Sequence, residues 1–224
     1  MEFVKVPRKL IEDTSIGDKR VLVYSSIAFT YWSGQDEDKI ISACGYSPCD
    51  RHSESAGSKA IECVQQLRSN SYIEQSRGRV SLCADSGCFG MIYADEYKQI
   101  VDARRILKGK RINHAHILLF LAHVRCFMSK ANNYPRFYSN LLMRIADNIG
   151  ISVRSVSTCA RILEDLEILH SEELPRYKDG YGRWHTNVRI FVDIHSHAAL
   201  PHSSYCWQRE TQRGIMSILS NQMG

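Results

Sequence analysis

No window of this 224-residue chain approaches the roughly 18 consecutive apolar residues of a membrane-spanning helix, and its opening, MEFVKVPRKL, has no signal-peptide core. A cytoplasmic protein without a membrane partner is expected. Nor do any of the eight cysteines (Cys44, Cys49, Cys63, Cys83, Cys88, Cys126, Cys159 and Cys206) form a CxxC pair. Reduced thiols are expected rather than a disulfide framework, with Cys63 and Cys159 in helical slots where any small apolar side chain would serve. A phosphate-binding glycine loop, HExxH, GxSxG and an acidic pair in a nuclease or polymerase context are all missing. The chain therefore reads as a non-enzyme that needs no cofactor.

The composition, 44% hydrophobic and 24% charged, belongs to an ordinary folded protein, and the length accommodates two domains of about 100 residues each. The net charge of +5 is unevenly spread: residues 1–97 hold 11 Lys and Arg against 14 Asp and Glu, whereas residues 98–224 hold 18 against 10. A basic half is the electrostatic footprint of a polyphosphate partner, although basic surplus also serves plain solubility.

The basic half contains the most informative stretch, RIADNIGISVRSVSTCARILEDLEILH at 144–170. Ala146, Gly150 four residues later and Val156 ten residues later have the spacing of a helix-turn-helix. A small residue lets the second helix cross, glycine takes the positive φ of the turn, and valine plugs the second helix into the core. Ser152 is placed to cap that second helix. Val156, Ala160, Leu163 and Leu166 recur at helical spacing and are expected inside, leaving Arg154, Thr158 and Arg161 on the outer face. Arg154 is the candidate for a base contact, Ser155, Ser157 and Thr158 for bases or phosphates, and Arg161 for phosphate. The same geometry also serves as a packing unit with a solvated face.

A wing is expected at Pro175–Asn187, between strands at 168–172 and 188–194. Its sequence PRYKDGYGRWHTN interleaves Arg176, Lys178, Arg183 and His185 with Tyr177, Tyr181 and Trp184. Such a hairpin suits a sugar-phosphate backbone, while Trp184 has equal claim to packing at the hairpin base.

The first half repeats this order. DKIISACGYS aligns with LMRIADNIGIS, and KAIECVQQLRSNSYIE with TCARILEDLEILH, so the chain reads as an internal duplication. Helices are expected near Arg8–Asp13, from Asp18, over Lys39–Cys44 and over Ser55–Ser69, followed by strands at 71–74 and 80–82. Arg77 and Arg79 make a smaller turn, read as solvated. The first copy is longer, with 22 residues between Gly45 and Leu67 where the second has 16 between Gly150 and Leu166. The second half begins with an extended entry at Ile92, then helices over Tyr97–Leu107 and His114–Met128.

The expected class is mainly α with small β-wings (α+β): a first winged helix at 1–90, a second at 91–197 and a helical tail at 198–224. Arg104, Arg105, Lys108, Lys110 and Arg111 place five cations within eight residues, read as a helix end and a phosphate-tracking patch. His195, His197, His202 and Cys206 are metal-capable, but their spacing matches no zinc module, and a polar connection to the tail is the expected role.

A tandem pair of winged helices in a chain of this length resembles the replication initiators of bacterial plasmids. The opening FVKVPRKLI…DKRVLVY is similar to the start of winged-helix replication proteins of Gram-positive phages and mobile elements, including the DnaD-type N-terminal domain. The resemblance covers about residues 3–195. Where such units often have glycine ahead of the wing strand, this chain has Ser71 and Glu167. The resemblance implies a recognition helix at Ser152–Leu166 in the major groove of double-stranded DNA, a wing on the backbone or minor groove, and one domain doubling as a homodimer interface. It further implies binding, bending or loading beside other replication proteins. A transcriptional regulator, or a protein-interaction scaffold that binds no DNA, has the same sequence pattern.

Overall fold

The computed structural model describes residues 2–32, 36–49, 55–76, 79–83, 87–103, 113–128, 137–174, 177–178, 184–185 and 188–194. The first half runs β1 (Phe3–Pro7), α1 (Arg8–Glu12), a short 3-10 turn (Thr14–Ile16), α2 (Arg20–Thr30), α3 (Glu37–Ala43), α4 (Ala56–Ser69), β2 (Ile73–Ser76) and β3 (Arg79–Leu82). Then come β4 (Phe89–Tyr93), α5 (Ala94–Asp102), α6 (His114–Phe127), β5 (Phe137–Leu141), α7 (Leu142–Ile149), α8 (Val153–Asp165), β6 (Leu169–Glu173), β7 (Tyr177–Lys178), β8 (Trp184–His185) and β9 (Val188–Asp193). The class is mixed α+β, with helices dominant and small antiparallel sheets. The stretch expected to carry the fifth helix on to Leu107 lies outside the described residues, as does the 198–224 tail.

Two helices form the centre. In α2 every residue from Arg20 to Ala28 is buried, and in α6 every residue from His114 to Arg125 except His116. A helix buried on every face must be enclosed by its neighbours. Here α6 packs on β4, α2 and α8. Its crossing with β4 is close because Gly90 has no side chain: a Cβ there would stand 2.1 Å from the Ala122 carbonyl oxygen.

One buried core runs from Val4 to Phe191 and takes residues from both halves. A smaller cluster, Phe137, Leu174, Val188, Ile190 and Val192, lies on the three-stranded sheet. Strand β1 pairs antiparallel with β4, from Phe3 opposite Tyr93 to Pro7 opposite Phe89, so the N-terminus is stitched to the middle of the chain. The second sheet is β2–β3, and the third has the order β5-β9-β6, with β9 bonded on both sides.

A buried ionic cluster fastens α5, α6 and β9. The Arg125 guanidinium donates to both Glu96 oxygens at 2.6 and 2.7 Å, to Asp193 at 2.8 Å and to the Met91 carbonyl at 3.0 Å. Bidentate charge-assisted bonds of this kind fix orientation as well as distance.

Candidate nucleic-acid interface

Helix α7 ends at Gly150, whose φ of +73° is open to glycine at little cost. The Gly150 and Ile151 amides both donate to the Ala146 carbonyl, at 2.9 and 3.1 Å, closing the turn. Ala146 is buried under the crossing, and Val156 is fully enclosed. The turn also leans on the N-terminal half. A Cβ at Gly150 would stand 2.8 Å from Thr14 Cγ2, and Arg20 donates to the Ile149 carbonyl at 2.8 Å. That buried guanidinium also serves the carbonyls of Leu10, Ile11 and Gly17.

Helix α8 starts where the sequence places it. Ser152 Oγ accepts the Ser155 amide at 3.1 Å and lies 2.9 Å from the Ser155 hydroxyl. Val156, Cys159, Ala160, Ile162 and Leu163 face inward. Arg154, Ser157 and Arg161 are exposed, while Ser155 and Thr158 are half-buried. The Thr158 hydroxyl donates to the Arg154 carbonyl at 2.9 Å, so part of its hydrogen-bonding capacity is spent within the helix.

The N-terminal turns of α8 and α6 border a cleft of about 210 Å³, whose polar lining includes Asn113, His116, Ser152, Arg154 and Thr158. Asn113 caps α6 by accepting the amides of Ala115 and His116. His116 is held by Asp18 at 2.8 Å. That hydrogen bond is the main cause of an Asp18 carboxyl far below its usual range.

Within the segment expected to form a wing, β7 and β8 pair antiparallel, Tyr177 opposite His185 and Lys178 opposite Trp184. At its base the Leu174 amide donates to the Val188 carbonyl at 2.8 Å. Arg176 and Arg183 lie outside the described residues, as do the 104–111 cation cluster and His195, His197, His202 and Cys206. Among the described residues no His, Cys, Asp and Glu group has the makings of a metal site. Burial pushes the thiols of Cys44, Cys63 and Cys159 up to about 12, which makes them inert packing groups.

The two halves share their local geometry. Gly45 and Gly150 both have φ +73°, and the residue after each donates to the carbonyl five before it, Ile41 and Ala146. Ser55 caps α4 through the Ser58 amide at 3.1 Å, as Ser152 caps α8. Ser71 (φ +59°) and Glu167 (φ +56°) take the left-handed conformation ahead of β2 and β6, and the next residue, Tyr72 or Ile168, donates back to Leu67 or Leu163 at 2.9 Å. The absent glycines have not removed the turn.

Sequence reasoning passed over Arg20, Thr14, Asn113 and His116. The signal for Arg20 was a cation, next to Lys19, directly abutting the apolar run VLVYSSIAF. Nothing local marks the other three as neighbours of α7 and α8.

No family model, curated protein or solved structure matches this chain.

Proposed function

We propose that the chain is a double-stranded DNA-binding protein made of two winged units, the second of which grips the duplex. The observation that carries this reading is the order of the second unit. Helix α6, strand β5, helices α7 and α8, strand β6, the β7–β8 hairpin and strand β9 follow one another, and β9 lies between β5 and β6. A winged helix has this arrangement, and α8 exposes Arg154, Ser157 and Arg161, while Lys178 and His185 lie on the β7–β8 strands that follow β6. In a major groove, Arg154 near the helix start reaches guanine O6 and N7, and Ser155 and Ser157 reach bases or phosphates. Arg161, two turns on, meets backbone. The hairpin, with Arg176, Lys178, Arg183, Trp184 and His185, follows the sugar-phosphate backbone.

The protein binds and does no chemistry, and its role is that of a replication initiator or accessory protein of a plasmid, phage or integrative element. The resemblance to plasmid and phage initiators favours replication over transcription, since a duplex grip serves both. Selecting bound sites from a random duplex pool tests the binding and reports motif and half-site symmetry together. Recovering no enriched sequence, with no duplex retained even at low salt, would sink the DNA reading.

A further inference from the structure

The duplicated units differ where they should agree if both read DNA. Counted back from the left-handed residues Ser71 and Glu167, the buried positions correspond: Leu67 with Leu163, Cys63 with Cys159 and Ala60 with Val156. In the same register, Arg154, Thr158 and Arg161 of α8 correspond to Ser58, Glu62 and Gln65 of α4. Both cations are gone and a carboxylate has come in. With Glu37, Ile41 and Ile61, these three line a groove of about 320 Å³ between α3 and α4. Glu37 and Glu62 are exposed and form no ion pair among the described residues, and Ile61 is half-exposed beside them. A groove with two carboxylates and an apolar floor repels a phosphate backbone and attracts a cationic surface that carries an apolar tip.

We propose that this groove docks a second copy of the chain, which enters it with the exposed face of its own α8. That face offers Arg154 and Arg161 to the carboxylates. It also offers Val153, 44% exposed and one of four large hydrophobics exposed among the described residues, to Ile61. The charge imbalance between the halves, 11 basic against 14 acidic residues in 1–97 and 18 against 10 in 98–224, favours the same head-to-tail pairing. Groove and α8 face are different surfaces, so a single such contact is heterologous and leaves one groove and one α8 face open, to which further copies add in series. Duplex DNA and a neighbouring copy then compete for one α8 face.

A charge exchange tests this on the full chain by sedimentation. Wild type is expected to associate in a concentration-dependent series in about 50 mM salt and to fall back towards monomer in about 500 mM, where screening is strong. The Glu37→Lys/Glu62→Lys variant alone and the Arg154→Glu/Arg161→Glu variant alone are expected to stay monomeric, since each pairs like charges. Mixed in equal amounts, the two should associate again, with at least a twofold rise in weight-average mass. Wild type that stays monomeric at low salt overturns the proposal, as do single variants that associate like wild type or a mixture that does not associate. None of these readings needs DNA, so a failure of duplex binding leaves them intact. Where duplex does bind, adding it should dissolve the wild-type series.

Discussion

At the scale of single residues, the proposed duplex face separates into groups that read and groups that hold. Arg154 is exposed in the first turn of α8 and has the planar fork that guanine selects, whereas Lys178 lies on the two-residue strand β7. Arg154→Ala is therefore expected to cost roughly 1–3 kcal/mol of discrimination between the selected site and a scrambled one. Lys178→Ala should weaken both duplexes alike and reduce the salt slope by about one. Fluorescence titrations on the two duplexes across a salt series distinguish these outcomes, and equal losses from both variants would make Arg154 a phosphate contact. A second residue-level expectation concerns Glu167, which is exposed and strained at φ +56°. Glycine adopts that conformation without a Cβ penalty, so Glu167→Gly should raise stability by about 1 kcal/mol despite its entropic cost. A lower urea midpoint would mean that the Glu167 side chain has a role of its own.

At the scale of elements, most helices could be read from the sequence and several contacts could not. Periodicity and capping residues placed α4, α7 and α8 because both are local: Ser55, Ser152 and Gly150 act within a few residues of themselves. Strand β5 was missed, being five residues that gain their partner from β9 some fifty positions away. The pairing of β1 with β4 and the continuous core were missed for the same reason, since the hydrophobic pattern tells which face is buried but not against what. Of the candidate site, the α8 face and its cap were legible, while the Thr14 and Arg20 supports behind the turn were not. Arg20 links the elements: four of its five bonds stay within residues 10–20 and the fifth crosses to Ile149. Arg20→Met leaves those carbonyls short of donors and is expected to cost at least about 3 kcal/mol. Urea denaturation should show a lower midpoint with an unchanged slope, whereas a second transition would mean that Arg20 couples two otherwise independent halves.

At the scale of the whole molecule, stability and acidity are linked through a histidine in the shared core. His123 is fully buried on α6, its Nε2 3.4 Å from the Tyr138 hydroxyl and its Nδ1 without a hydrogen-bond partner among the described residues. Burial, and secondarily the charge of Arg8, push its pKa from 6.5 down to about 4. Below 6.5 the unfolded chain takes up a proton that the folded chain refuses. The stabilisation is therefore complete above pH 6.5, declines as the pH falls towards 4, and has no further slope below that. At 1.36 kcal/mol per unit, the loss between pH 7 and pH 5 comes to about 2 kcal/mol. Asp18 acts in a lower window, because a carboxyl held below its usual 3.8 contributes fully above that value and loses its contribution only in stronger acid. The two effects can be separated by substitution. His123→Phe keeps a ring beside Phe127 and Tyr138, whose centroids lie 4.8 and 5.7 Å from the imidazole, and removes the titrating group. Urea unfolding at pH 7 and pH 5 should show the wild type losing about 2 kcal/mol and the variant much less. A variant that keeps the full loss would assign the acid sensitivity to some other group.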